Sequence, residues 1–226
     1  MIQQARDREI VRVCYEQQLI SLKQVARYFF SGDLAYASRR LKGLEAEGFL
    51  KQVRPIANYS GRLYQVTGLG VKLARTISTL EVPQRRTFGL ATLEHDLLVT
   101  SLRLRLRELW DSAWLPEKIL KAAEYRQIPD GVALFRSGRK VALELENSSK
   151  GKRRYLSIWK RWVGTETFLV LYVATHPGLA QFLRKLFLVA PKGVALGVVE
   201  WESLESGCPK VWTPAGELDL LNRREF

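Results

Sequence analysis

Ile128-Pro129-Asp130-Gly131-Val132-Ala133-Leu134-Phe135, followed after a short turn by Val141-Ala142-Leu143-Glu144-Leu145-Glu146, decides how this chain is read. Two apolar runs flank Arg136-Ser137-Gly138-Arg139, which is a turn composition, so Val132–Leu134 and Val141–Leu143 are expected to pair as a hairpin. In the second strand Glu144 and Glu146 stand at i and i+2, which puts both on one face with Cα atoms roughly 6.6 Å apart. An apolar strand with two carboxylates on one side is costly unless they are neutralised or bind a cation. Asp130 begins the first strand, so pairing the strands brings all three acids to one end. Three convergent hard oxygen donors suit Mg²⁺ or Mn²⁺ far better than Zn²⁺. The alternative is that the acids are solvated or paired with the many arginines nearby.

Outward from this stretch, the composition describes an ordinary folded protein: 226 residues, 46% hydrophobic, enough for one sizeable core or two small ones. The formal charge of +13 favours a polyanionic partner. Residues 1–80 carry 13 Lys and Arg against 6 Asp and Glu, and the rest 23 against 17, so both halves can contribute to a phosphate-lined surface. Cys14 and Cys208 form neither a CxxC pair nor a disulfide framework, which points to a reducing cytoplasm. The polar N-terminus and a longest apolar run of only seven residues, Phe168 to Ala174, argue against a signal peptide or membrane insertion.

Upstream, periodicity predicts helices over Arg6–Gln17, Leu22–Phe29 and Leu34–Glu47, then two β-like runs, Phe49–Arg54 and Arg62–Thr67. Three helices and a hairpin in that order make a winged helix-turn-helix over residues 1–80. The stretch Arg39-Arg40-Leu41-Lys42-Gly43-Leu44-Glu45-Ala46-Glu47-Gly48-Phe49-Leu50 resembles the recognition helix and wing start of many bacterial winged-helix proteins. That likeness implies groove-facing Ser38, Arg39, Arg40 and Lys42, with Arg54, Asn58, Tyr59 and Arg62 on the wing. A solvated helix face in a dimerisation module is the competing reading. A further helix is expected from Gly68 to near Leu80, and Val82-Pro83-Gln84-Arg85-Arg86-Thr87 reads as a linker.

Downstream, residues 88–226 alternate helix, strands, helix, strand, helix and strand, which predicts an α/β (α+β) layer structure with a mixed sheet flanked by helices. The elements are a leucine-striped helix Leu90–Trp110, the acidic hairpin, a basic helix Lys150–Val163, a strand Phe168–Ala174, a helix from Pro177 through Phe187 and a strand Val194–Glu200.

This order, with Pro129-Asp130 and the acidic strand, resembles the PD-(D/E)XK nuclease fold of restriction-type endonucleases. In that fold an Asp and a later acid hold the metal and a lysine two residues on assists the nucleophile. Asp130 and Glu144 match, whereas Glu146 stands where the lysine would be. His95-Asp96-Leu97-Leu98-Val99, Pro129-Asp130 and Glu144-Leu145-Glu146 behind a winged helix are together similar to the replication-relaxation family and its MobC-type plasmid relaxases. The resemblance implies a catalytic domain at 88–226 that nicks one DNA strand at a plasmid transfer origin through a carboxylate-held metal. It also implies double-stranded and nicked or single-stranded DNA, an accessory mobilisation protein and a coupling protein as partners. A relaxase of the histidine-cluster type is excluded, because only His95 and His176 are present.

With Glu146 displacing the expected lysine, Lys150 is the first candidate to stabilise charge on the scissile phosphate and Lys160 the second. Lys152, Arg153 and Arg154 are expected to hold backbone phosphates. Tyr155 is a candidate covalent nucleophile against metal-activated water. Trp159 and Trp162 are either stacking platforms or core. His95, Glu94 and Glu124 are outlying candidates near the acids. Rival functions are a DNA-binding regulator of plasmid replication or transcription without catalysis, and a double-strand endonuclease.

Overall fold

The computed structural model describes residues 4–53, 59–84, 90–123, 126–207 and 209–221. Arg54, Asn58, Glu124, Cys208 and positions 85–87 of the expected linker lie outside them. The chain divides into two compact units, Met1–Leu104 and Arg105–Phe226.

In the first unit, α1 (Ala5–Gln17) ends where Gln18 takes a left-handed φ of 75°. A two-residue strand β1 (Ile20–Ser21) leads into α2 (Leu22–Phe29), and Asp33 caps α3 (Leu34–Ala46) through a 2.8 Å bond from the Tyr36 amide. Ser21 and Gln24 cap α2 reciprocally, each backbone N–H donating to the other's side chain at 2.9 and 3.2 Å. Strands β2 (Leu50–Gln52) and β3 (Leu63–Val66) complete an antiparallel sheet of order β1-β3-β2. Helix α4 (Gly68–Arg75) begins against β2: a Cβ on Gly70 would lie 2.1 Å from the Phe49 carbonyl oxygen, so only glycine permits this approach. The helix stops five residues short of the expected end because the following backbone is held elsewhere. Tyr15 donates to the Leu80 carbonyl at 3.0 Å and accepts from the Val82 amide at 2.8 Å, while Gln84 donates to the Tyr15 carbonyl at 3.1 Å. Val82 and Gln84 of the expected linker are therefore packed against α1.

Helix α5 (Leu90–Leu109) crosses the division at Leu104. Its N-terminal part belongs with the first unit: Gln24 donates to the Leu97 carbonyl at 2.6 Å and to Ser101 at 2.8 Å. A buried ion pair joins Arg103 to Glu16 of α1. Of Arg103, Arg105 and Arg107, which stand at alternate positions on this helix, that pair accounts for Arg103.

The second unit is built on a seven-stranded mixed sheet. Its strands are β4 (Ser112–Pro116), β5 (Gly131–Phe135), β6 (Lys140–Glu146), β7 (Thr167–Ala174), β8 (Leu196–Glu200), β9 (Lys210–Thr213) and β10 (Gly216–Asp219), in spatial order β10-β9-β8-β7-β6-β5-β4. The expected hairpin is present as antiparallel β5 and β6, and β6, β7 and β8 run parallel. Parallel neighbours need crossovers, supplied by α7 (Lys152–Trp162) and α8 (Pro177–Phe187). Residues of both helices share one core cluster with Ala142, Val170, Tyr172, Ala174 and Val198, so both cover the same sheet face. That face also carries Glu144 and Glu146, by the alternation of β6.

Short helices α6 (Glu117–Ala122) and α9 (Trp201–Ser206), and strands β4, β9 and β10, were not expected from the sequence. The strands hold five residues or fewer, too short for a face pattern to mark them in the sequence, so only pairing to a formed neighbour defines them. Among the described residues no helix is long and apolar enough to cross a membrane.

Candidate catalytic site and nucleic-acid interface

The three acids meet where β5 begins and β6 ends. Asp130 immediately precedes β5; its amide donates to the Leu143 carbonyl at 3.0 Å, and its Oδ2 accepts from the Leu145 amide at 2.7 Å. This double attachment extends the hairpin by one residue and sets Asp130 beside Glu144. The adjoining Gly131 packs closely under β4: a Cβ there would lie 2.1 Å from the Trp114 ring, which would have to move.

Glu144 pairs in register with Tyr172 of β7 and is only 8% exposed. The Gln127 side chain bonds to its carboxylate, yet Oε1 is buried without a hydrogen-bond partner among the described residues. Its pKa is pushed well above the ordinary carboxylate range, by burial first and then by Asp130, against the opposing pull of Lys150. Glu146, still more buried, forms an ion pair with Lys150, and Tyr155 bonds to the same carboxylate. Among the described residues no three Asp, Glu, His or Cys side chains form a ready-made metal-binding group. The reason lies in the partners just named: Asp130 Oδ2 is turned to a backbone amide and Glu146 to an ammonium.

The cations separate into two groups. Lys150 joins the acids, its ammonium also 5.8 Å from the centroid of the Tyr155 ring. Lys152, Arg153, Arg154, Lys160 and Arg161 lie on the exposed side of α7. Lys160 stands eight residues beyond Lys152, about 12 Å along the helix. The structure thus brings Lys150 to the acids and leaves Lys160 with the solvent-facing group.

Tyr155 is fully buried, its ring against Trp159, Tyr172 and Phe182, and its hydroxyl accepts from the Lys150 amide at 3.3 Å. Burial first, and the nearby glutamates, push its pKa up to about 12. A phenol so placed is a packing and positioning group, and the expectation of an accessible nucleophile is corrected accordingly. Trp159 and Trp162 are core, not stacking platforms; Trp159 donates its indole N–H to Tyr172 at 2.9 Å.

In the first unit, the exposed face of α3 carries Ala35, Tyr36, Arg39 and Lys42, and its inner face Ala37, Leu41 and Leu44. Arg40 is placed differently from the expectation: it grips the buried Asp7 of α1 with both Nε, at 2.6 Å, and Nη2, at 2.5 Å. Its pKa is raised, chiefly by that bond. Arg62 donates to Ser38 at 2.9 Å, so these two side chains hold one another. Tyr59, expected on the wing, packs against the cluster of Leu19, Leu63 and Leu93 and bonds to Ser21. His95 lies within α5 in the first unit and Glu94 is exposed on the same helix.

Two groups escaped the sequence reading. Gln127, bonded to Glu144, sits in an irregular segment with no periodicity to mark it. Tyr36 could have been found, because it lies off the Ala37-Leu41-Leu44 stripe; it is 44% exposed, tilted on Phe30 at 5.0 Å, with the Arg39 guanidinium 5.5 Å over its ring.

Comparison with curated proteins and with solved structures gives no match. A family profile described as replication-relaxation matches residues 11–162, most of the chain from α1 to the end of α7, the acidic hairpin included. The chain belongs to the replication-relaxation family.

Proposed function

We propose that the protein is a metal-dependent, strand-specific DNA nicking enzyme of the MobC relaxase type, acting at a plasmid transfer origin in the cytoplasm. In this reading residues 1–80 are a winged helix-turn-helix that locates the site, and residues 88–226 are a PD-(D/E)XK-like domain that cuts it. The observation that carries the proposal is Glu144, one of whose carboxyl oxygens is buried without a hydrogen-bond partner among the described residues, beside Asp130 and Glu146. Burial and the neighbouring acids disfavour the charged form of this carboxyl, a cost that a cation bound there would offset. Family membership, which points to plasmid replication or mobilisation, and the exposed cations of α7 support the same reading.

The donor set is all hard oxygen and fits Mg²⁺ or Mn²⁺, with Asp130, Glu144 and Glu146 as the residues that would hold it. The ion would supply activation of water and neutralisation of phosphate charge. Lys150, the cation paired with Glu146, would stabilise the negative charge that develops on the scissile phosphate. Tyr155 holds the Lys150 backbone and the Glu146 carboxylate in place. Lys152, Arg153 and Arg154 grip the backbone on either side, while Tyr36, Arg39 and Lys42 enter the major groove. Accessory mobilisation and coupling proteins complete the expected set of partners.

The test is conversion of supercoiled origin plasmid to open circle with Mg²⁺ or Mn²⁺, for wild type and Glu146→Ala. Loss of nicking by at least about 10²-fold, with DNA affinity kept or increased, is expected. A folded Glu146→Ala that nicks at the wild-type rate sinks the proposal. The Lys150–Glu146 pair favours a second reading, a DNA-binding regulator of plasmid replication or transcription in which the acids are structural. In that case wild type binds DNA, no metal promotes nicking, and Glu146→Ala loses stability.

A further inference from the structure

Toward the start of β6, linked to the acids at its other end through Gln127, lies a hollow of about 220 Å³ whose walls include Arg126, Gln127, Lys140, Trp162 and Thr167. It opens where β6 and β7 begin, since Lys140 and Thr167 are register partners. Four features define its chemistry. Trp162 is 3% exposed, and its indole N–H is buried with no acceptor among the described residues. Buried N–H groups are almost always bonded, so a donor left open in a cavity wall marks a place for an acceptor. Arg126 is exposed and makes no ion pair among the described residues. Arg161 approaches from α7, its Nη1 3.5 Å from Gln127 Oε1. Glu166, the one acid in the wall, is taken up by Lys140 at 2.7 Å and points outward, its side chain 86% exposed.

The wall is therefore rich in donors: an indole N–H, two guanidinium groups near the rim and the Thr167 hydroxyl, with the Lys140 ammonium shared with Glu166 and the Thr165 hydroxyl donating to the Trp162 carbonyl. A compact, acceptor-only anion fits that set better than a planar base, which requires acceptors in return, because the amide and carboxylate acceptors of the wall, Gln127 Oε1 and Glu166, already face Arg161 and Lys140. We infer that the hollow binds a phosphate group, supplied as a backbone phosphodiester of the DNA strand that the acids address. Gln127 gives the inference its functional sense. The same side chain walls the hollow and bonds to Glu144, so a phosphate seated there is tied through one residue to the candidate catalytic carboxylate. From Lys140 to Glu144 is about 13 Å along β6. A strand anchored in the hollow is thereby registered against Asp130 and Glu144, which fixes the linkage presented to them. This rests on the reading of the second unit as DNA-processing, and it adds a phosphate subsite that the acids and α7 alone do not supply.

The experiment uses the full chain and origin duplexes, each carrying one neutral methylphosphonate linkage at a successive position. For wild type, one linkage outside the scissile position is expected to weaken binding. For Arg126→Ala and for Thr167→Val, that same linkage is expected to have no further effect. Arg126→Ala should also lower the logarithmic salt slope by about 0.9 at unchanged melting temperature. Interference patterns identical in wild type and both variants overturn the inference. In a parallel arm, inorganic phosphate alone is titrated while the Trp162 indole N–H resonance, assigned with Trp162→Phe, is followed. A shift of that resonance at millimolar phosphate, together with altered DNA interference, supports a phosphodiester subsite; a shift with unaltered interference means a free-phosphate site and overturns the DNA assignment. Failure of wild type to bind any DNA would instead remove the proposed function, a result distinct from wild-type binding that the hollow does not influence.

Discussion

Helices α3 and α7 are both basic in sequence, yet α3 turns one of its cations inward and α7 none. In α3, Arg40 is spent internally on Asp7, which α1 buries, and Ser38 is engaged by Arg62 from the strand side. In α7 the inward positions are Tyr155, Trp159 and Trp162, so Lys152, Arg153, Arg154, Lys160 and Arg161 all remain on the solvent side. The difference teaches that a basic residue's role follows from the apolar stripe it adjoins. Arg40 stands three residues after Ala37 and four before Leu44, close to the inner face, where a buried carboxylate can claim it. A net charge of +13 therefore overstates the positive charge that α3 presents to solvent more than it overstates that of α7.

The largest effect expected from this contrast is on stability. Arg40→Ala leaves Asp7 buried and unpaired, and should cost about 3 kcal/mol in urea unfolding. Its neighbour Arg39→Ala should stay within about 0.5 kcal/mol of wild type while weakening duplex binding. Equal stability of the two variants would break the distinction between a structural and a presenting arginine.

A smaller effect separates the acids from both helices. Because the folded pKa of Glu144 is raised, the folded state holds that proton more tightly than the unfolded chain, whose value is near 4.5. Stability is therefore unaffected by this group below that pH and declines as pH rises above it. Glu144→Gln removes the ionisation, and in chelator it should unfold about 1 kcal/mol later than wild type at pH 8, with little difference at pH 4. A variant less stable than wild type at pH 8 would mean that the carboxylate is satisfied in the fold.

The smallest stability change should come from α7. Arg153→Ala with Arg154→Ala is expected to unfold within about 0.5 kcal/mol of wild type. The same pair should lower the logarithmic salt slope of DNA binding by about 1.8, which is 0.9 for each phosphate contact. An unchanged slope would show that these arginines, although exposed, are not at the interface.

Periodicity alone made the main elements readable. The stripe Ala37-Leu41-Leu44, the alternation in Val141-Ala142-Leu143-Glu144-Leu145-Glu146 and the Ser21–Gln24 cap are local signals, decided within a few residues by backbone geometry. The same alternation put Glu144 and Glu146 on one face and drew Asp130 to them, so the candidate site was legible as a set of residues. Only the tertiary structure decided what covers that face. Tyr155 and Trp159 were ambiguous in sequence because a helix stripe does not say whether it meets a sheet or a ligand; α7 lays it on β6 and β7, and the ring of Tyr155 is buried. Gln127 reaches Glu144 across seventeen residues, and Arg40 reaches Asp7 across thirty-three. Such pairs leave no local trace, because the sequence fixes which face of an element is apolar, whereas which side chain arrives opposite is set by the packing of elements far apart along the chain.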